Sequence, residues 1–525
     1  MKIPIAVVVA VFLAASGAGM AAGNVKGKTA GTGAAPGIDW FDGTVDEAFA
    51  TAAREKKPVF LYWGAVWCPP CHAINNTVFK SPAFIERSRA FVPVYLDGDT
   101  PNAQSAGERF GVSGYPTMIV FDARGSELTR IPGGIDMQAY ANVLDLTLAN
   151  AASVESIVAR ISDGDTNISP NECTQLAYYS WAQNTTILAD RDDVRTFRRM
   201  FEACPEALAG PRSILYFNWL DAKLDALDAA ADEGAPAMLG DAEKDEARQV
   251  INRVIGDPRL TRDNIFAVLF DGARMTAAVT AAGSPERAQL TRRFLAAYDD
   301  LYADDSVYKR ERLYTLEGRI EFARIDDPEA ELPDALTDRI EAGVQWADES
   351  TPDPYERQPI INAAANVLGS AGMDDVAKEL LLKELEISGQ PYYFMPDLAD
   401  IEQRAGNYEA AIGWYRKGYE TSEGSATRFQ WGYYYLVGLL EMAPEDVETI
   451  EAVTVSLISE VQAGGGLYQR PKAQLERLEA RLRAWSKDYG GAPALASIRS
   501  AVAAVCVKDP ETASRSACEA FLDAA

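Results

Sequence analysis

The residues best suited to chemistry stand together in the run Trp67-Cys68-Pro69-Pro70-Cys71-His72. Two cysteines separated by two residues can alternate between a dithiol and a disulfide. The segment before them, Pro58 to Trp63, is a continuous apolar and aromatic run of the kind that forms a strand buried on both faces. A helix opening at Cys68 puts its sulfur beside unsatisfied backbone N–H groups and the positive end of the helix dipole, which lowers the thiol pKa and makes Cys68 the nucleophile. Cys71, one turn on and more buried, then resolves the mixed disulfide. Pro69 and Pro70 stiffen the loop and remove two backbone donors. Zinc wants four ligands, and no second pair of this spacing or His pair exists, so no metal is expected. A purely structural bridge between 68 and 71 would constrain little.

His72 is the only histidine in 525 residues, which excludes poly-His metal centres and leaves a Ser-His-Asp hydrolase that one imidazole. As an imidazolium it is a candidate modulator of the Cys68 pKa; the plainer expectation is a solvent-facing residue in the first helical turn. The other cysteines pair most naturally as Cys173 with Cys204 and Cys506 with Cys518, structural disulfides that staple helical hairpins. Such bridges need an oxidising compartment. Lys2, the apolar run Ile5 to Ala15 and small residues near Gly19 to Ala22 read as a secretory signal over residues 1–22, with an uncleaved anchor as the alternative. The chain is therefore expected to be secreted and periplasmic, with no stable membrane insertion once the signal is removed. Residues 23–37 form a flexible linker.

The elements that must position Cys68 are legible around it. Thr44 and Glu47 form a capping box for a helix ending near Lys56. Phe91 to Leu96 reads as a second buried strand, Asn102 to Phe110 as a helix, Met118 to Asp122 as a strand, Leu128 to Ile131 as its hairpin partner, and Asp136 as the cap of a helix reaching about Asn150. Beyond residue 150, long amphipathic Ala/Leu/Glu/Arg segments dominate. The net charge of −27 disfavours nucleic acid, and residues 151–525 carry 38 basic against 64 acidic residues. The acidity therefore belongs to the helices, and a basic partner protein is the expectation.

Residues 38–150 resemble a thioredoxin-family domain. The dithiol carries the resemblance together with Glu108-Arg-Phe-Gly-Val-Ser-Gly-Tyr115-Pro116-Thr117, which is similar to the family's cis-proline loop. The Trp-Cys-Pro-Pro-Cys run is that of tryparedoxins and nucleoredoxins, and Cys71 to Phe84 looks more like bacterial secreted thioredoxin-like reductases. The resemblance implies an α/β domain with a central mixed sheet flanked by helices and a cis Tyr115–Pro116 peptide. It also implies a client groove shaped by Trp67, Tyr115 and Pro116, an upstream thiol donor and no cofactor. Two departures stand out: Tyr62 replaces the family's buried acid, which leaves water or His72 to take the proton, and Tyr115 is bulkier than the usual residue.

Residues 151–350 are expected to form a helical domain and residues 351–525 a region resembling the tetratricopeptide family. Gly372 and Gly406 lie 34 residues apart in similar segments. In the second copy Gly406 closes the first helix, Tyr408, Ala411 and Tyr415 are the expected packing positions, and Gly418 allows close helix contact. The aromatic clusters 178–181, 216–219 and 431–435 read as core. The resulting expectation is a thiol:disulfide oxidoreductase acting on a protein client that brings a disulfide or thiol, in the reductase or exchange direction. The other reading is a helical-repeat binding or assembly factor whose thioredoxin-like domain serves as a recognition module.

Overall fold

Thr44 and Glu47 close the first helix reciprocally: the Glu47 N–H donates to Thr44 Oγ1 at 3.2 Å, and the Thr44 N–H donates to the Glu47 carboxylate at 2.8 Å. The computed structural model describes residues 37–506, apart from 113, 132–136, 149–151, 185, 190, 233–237, 464–468 and 490. The expected signal 1–22, nearly all of the 23–37 linker, the capping role of Asp136 and the Cys506–Cys518 pairing lie outside the described residues.

The capped helix is α1 (Val45–Glu55), followed by β1 (Val59–Gly64), α2 (Pro69–Asn76), α3 (Pro82–Ser88), β2 (Val92–Asp97), α4 (Pro101–Arg109), β3 (Thr117–Phe121), β4 (Glu127–Ile131) and α5 (Met137–Leu148). The strands lie in the order β2-β1-β3-β4, with β1 parallel to β2 and antiparallel to β3, and β3 antiparallel to β4. This is the mixed sheet flanked by helices that the resemblance implied. The short α3, which Pro82 opens, escaped the sequence reading.

Alternation along β1 divides the interior. Val59, Leu61 and Trp63 point into one core, with residues of α1 and α4, and this core runs on into the helices from Leu313 to Val502. Phe60 and Tyr62 point into another, with α3 and α5, which continues into the helices between Val154 and Phe322. The sheet is thus packed on both faces, and the all-helical region from Val154 onward supplies part of each covering layer.

Within that region Cys173, in the helix Pro170–Ala177, is disulfide-bonded to Cys204, which caps the helix Asp193–Ala203. Gly372 and Gly406 both take a left-handed φ, +75° and +78°, at the turns of successive helical hairpins, which is the conformation glycine adopts without cost. Ala411 and Tyr415 are buried. A Cβ on Gly418 would stand 2.9 Å from the Trp431 ring, so that glycine admits the indole. Tyr408 departs from expectation: it is 52% exposed, because it opens its helix at the turn, beyond the surface that the neighbouring helix covers.

Three carboxyls are crowded in the middle of the array. Burial pushes Glu317 and Asp271 up to about 7, and burial with repulsion from Glu317 and Asp271 pushes Glu321 to about 8. The folded chain therefore keeps protons that the unfolded chain gives up near the ordinary carboxylate range, and stability falls as pH rises through those values. Thermal unfolding followed by circular dichroism is expected to give a lower midpoint at about pH 9 than at about pH 6. The double variant Glu317→Gln, Glu321→Gln is expected to flatten most of that slope.

Candidate active site

Cys68 and Cys71 are disulfide-bonded at the start of α2, with Cys68 as N-cap and Pro69 and Pro70 at the first two helical positions. With both prolines lacking an N–H, the first amide of the helix able to donate is that of Cys71, and it donates to Cys68 Sγ at 3.1 Å. The dithiol therefore has the helix N-terminal setting anticipated for a stabilised thiolate, but with its donors thinned to one in the first turn.

The Tyr115–Pro116 peptide is cis, as the resemblance implied. The Tyr115 ring lies against Gly98, where a Cβ would come within 2.3 Å of it. Its hydroxyl accepts from Gln104 Nε2 at 2.9 Å and donates to the Gly98 carbonyl at 3.3 Å. Trp67 meets the Tyr115 ring edge-on at 6.4 Å. Trp67 and Tyr115 thus share a buried cluster with Cys68 and Cys71, with Tyr115 folded down and locked.

The sequence pointed to Cys68 as the more accessible sulfur. In the structure both sulfurs are enclosed: Cys68, Cys71 and Trp67 each have 0% relative exposure. Residues of the helical region share the buried cluster that holds them. Trp431, from the helix Ser425–Met442, packs edge-on against Trp67 with ring centroids 5.9 Å apart. Gln358, from the helix Pro354–Ser370, donates its amide to the Trp67 carbonyl. Gln183 donates to the Pro116 carbonyl at 2.9 Å. Both rims of the groove are therefore hydrogen-bonded to glutamine side chains from outside the sheet domain. The turn after β2 joins in, because the Asp99 carboxylate accepts from the Thr427 N–H and hydroxyl at 3.2 Å and so caps the Trp431 helix from across the interface.

His72 departs from both expectations. It is buried, stacked at 3.7 Å on Tyr355, with Nδ1 3.1 Å from the Tyr355 carbonyl and Nε2 against the Val66 carbonyl. A neutral ring has one N–H and donates to only one of these carbonyls, and neither contact is to a sulfur. Burial lowers its pKa below 6.5 in spite of the two carbonyls, so near neutral pH the imidazole is uncharged and supplies no positive charge to Cys68. It is a contact of the interface, neither a solvent-facing residue nor an imidazolium. Tyr62, at the position of the family's buried acid, is fully enclosed among Trp40, Phe79 and Tyr95, and burial drives its phenol far above its ordinary range. It takes no proton near neutral pH.

Asp99, Gln183, Tyr355, Gln358 and Trp431 were not anticipated. The glutamines and the acid carry no local signal, and an aromatic at helical spacing looks the same whether it faces its own core or another domain. Because the chain holds a single histidine, its ring C–H resonances can be followed without overlap in an NMR titration. The midpoint is expected below 6.5 in the intact protein. As a depressed His pKa favours the neutral docked ring, the contact is strongest above about pH 6.5 and weakens as pH falls.

Residues 45–147 match the family model of a thioredoxin-like domain. A thiol:disulfide interchange protein DsbD from Cronobacter sakazakii is 36% identical over 109 residues, covering 19% of this chain and 18% of that protein. The protein disulfide-isomerase erp38 of Neurospora crassa is 27% identical over 92 residues, covering 17% and 24%. The chain thus spans about a fifth of the length of these two relatives. Thioredoxin H5 of Arabidopsis thaliana is 30% identical over 89 residues, which are 17% of this chain but 70% of that protein. With its paired cysteines at a helix start, its cis-proline loop and a match to most of a thioredoxin, the chain belongs through this domain to the thioredoxin-like family.

Proposed function

We propose that the protein is a thiol:disulfide oxidoreductase acting on protein clients in an oxidising compartment outside the cytoplasm, in the reductase or exchange direction. The observation that carries this reading is the Cys68–Cys71 pair at the N-terminus of α2, beside the cis Tyr115–Pro116 peptide. In the reducing direction the Cys68 thiolate attacks one sulfur of the client disulfide, forming a mixed disulfide and releasing a client thiolate. Cys71, deprotonated, then attacks Cys68 Sγ, which re-forms the 68–71 bond and frees the second client sulfur as a thiol. An upstream thiol donor restores the dithiol by the reverse exchange. Trp67 and the cis-proline loop shape the groove that takes the client, whose extended backbone pairs beside Pro116.

The compartment is supported by the Cys173–Cys204 bridge and by the apolar leader-like run near the start of the chain. Among the described residues no helix is long and apolar enough to cross a membrane. The acidic helical region, with its hairpins turning at Gly372 and Gly406 in a tetratricopeptide-like spacing, is the surface offered to a basic partner protein. One observation favours the second reading, in which the thioredoxin-like domain is a recognition module of a helical assembly factor: the helical region covers the dithiol.

Insulin-disulfide reduction by the intact chain separates the two. Loss of at least a hundredfold in rate with Cys68→Ser, and a client captured as a mixed disulfide with Cys71→Ser, are expected of the oxidoreductase. A Cys68→Ser protein that keeps its cellular role sinks that reading in favour of the module. A 68–71 reduction potential near about −120 mV, the range of a dedicated oxidant, overturns the direction.

A further inference from the structure

Resting on the thiol:disulfide reading above, we infer that Tyr355, Gln358 and Trp431 of the helical region are positioning residues of the redox site, closing over the Cys68–Cys71 pair and biasing it toward the disulfide. All three bear on the segment that carries the cysteines. Trp431 packs on Trp67, the residue before Cys68, and is itself held by a hydrogen bond from its indole N–H to the Tyr392 carbonyl at 2.8 Å. Gln358 bonds the Trp67 carbonyl. Tyr355 stacks on His72, the residue after Cys71, and its hydroxyl accepts from Asn75 Nδ2 at 3.0 Å one turn further along α2. The contacts bracket the dithiol on both sides in sequence and leave both sulfurs without exposure.

The two redox states differ in what this enclosure costs them. The disulfide is neutral and needs no solvation. The reduced pair near neutral pH carries negative charge on Cys68 whenever it is reactive, and a thiolate taken out of water must be stabilised by donors within the protein. Under the helices the donor found on Cys68 Sγ is the Cys71 N–H, since Pro69 and Pro70 have none and the ring nitrogens of His72 face the Val66 and Tyr355 carbonyls. The charged groups at the margin do not help: Lys80 pairs with Glu356 at 4.0 Å, and Asp99 adds negative charge on the Trp431 side. Closure therefore favours the oxidised pair over the thiolate. By linkage, forming the thiolate favours opening, and opening is what a protein client requires in order to reach Cys68.

The test uses the full chain equilibrated in dithiothreitol redox buffers, in which two reagent thiols become one reagent disulfide as the Cys68–Cys71 bond becomes two thiols. Peptide mapping after alkylation reads this pair separately from Cys173–Cys204. In Trp431→Ala and in Gln358→Ala the equilibrium is expected to move toward the dithiol, by about tenfold for the tryptophan variant, which corresponds to about 30 mV for a two-electron couple. Iodoacetamide should also alkylate Cys68 of the reduced variants about tenfold faster than in the native chain at the same pH. Gln358→Ala removes a single amide and keeps the test open should Trp431→Ala fail to fold, with circular dichroism as the check. Variants with native equilibrium constants and native alkylation rates overturn the inference and leave the thiol reading standing. A 68–71 pair that no buffer can reduce and re-form, even in the native chain, overturns both.

Discussion

A sulfur that must bear negative charge needs donors or water, and the rest of the molecule is arranged around how Cys68 obtains them. The start of α2 offers the helix dipole, but two prolines leave the Cys71 N–H as the first amide of the helix able to donate. Here Trp67 meets both Tyr115 and Trp431 edge-on and both cysteines are fully buried, so the enclosed state suits a neutral disulfide better than a thiolate.

The helical cover is held by interactions that are individually modest. An edge-to-face aromatic pair contributes about 0.5–1.5 kcal/mol beyond the area it buries, and a neutral hydrogen bond about 0.5–1.5 kcal/mol net. The Trp67–Trp431 pair and the amides of Gln183 and Gln358 are each of this kind, whereas the bonds to the Asp99 carboxylate, being to a charged group, are worth about 1.5–3 kcal/mol. The cap is informative because Gly424, just before the Trp431 helix, takes a left-handed φ of +82°, and a Cβ there would stand 2.6 Å from the Asp99 carboxylate. Close approach of the Asp99 carboxylate to the backbone at 424 therefore depends on glycine at that position. Elsewhere the helical region is fixed more deeply: Arg130 of β4 is buried and donates to the carbonyls of Phe110 and Gln183, at 2.7 and 2.8 Å. The buried cluster that holds Cys68 and Cys71 also runs on into the helices from Leu313 to Val502, so opening over the dithiol has to part that apolar contact as well.

The sheet domain was legible because its signals are local. A capping box, a buried-strand run ending in C-x-x-C and a loop ending in Tyr115-Pro116 each specify geometry within a few residues. What covers the site was not legible, because Tyr355, Gln358, Thr427 and Trp431 lie roughly 280 to 360 residues further along the chain than the residues they meet, and no periodicity records which surface a helix meets. Trp431 satisfied every expectation of a core residue and is one; the core it belongs to happens to include the dithiol. His72 shows the same limit from the other side, since a residue that local rules place on a solvent-facing first turn is buried by a helix that those rules cannot see. Tyr408 errs in the opposite direction: its motif position marked it for packing, and its place at the turn left it exposed.

The replacement of the family's buried acid by Tyr62 bears on the same enclosure. Resolution of a mixed disulfide requires Cys71 to lose its proton, and with Tyr62 in place of the acid the expected acceptors were water and His72. The Tyr62 phenol is raised far above neutrality by burial, and the neutral His72 ring is engaged with the Val66 and Tyr355 carbonyls. Water remains as the acceptor, and it reaches sulfurs of zero exposure only when the helices withdraw. Under the proposed exchange, client entry and proton exit would both require the helices to part from the dithiol.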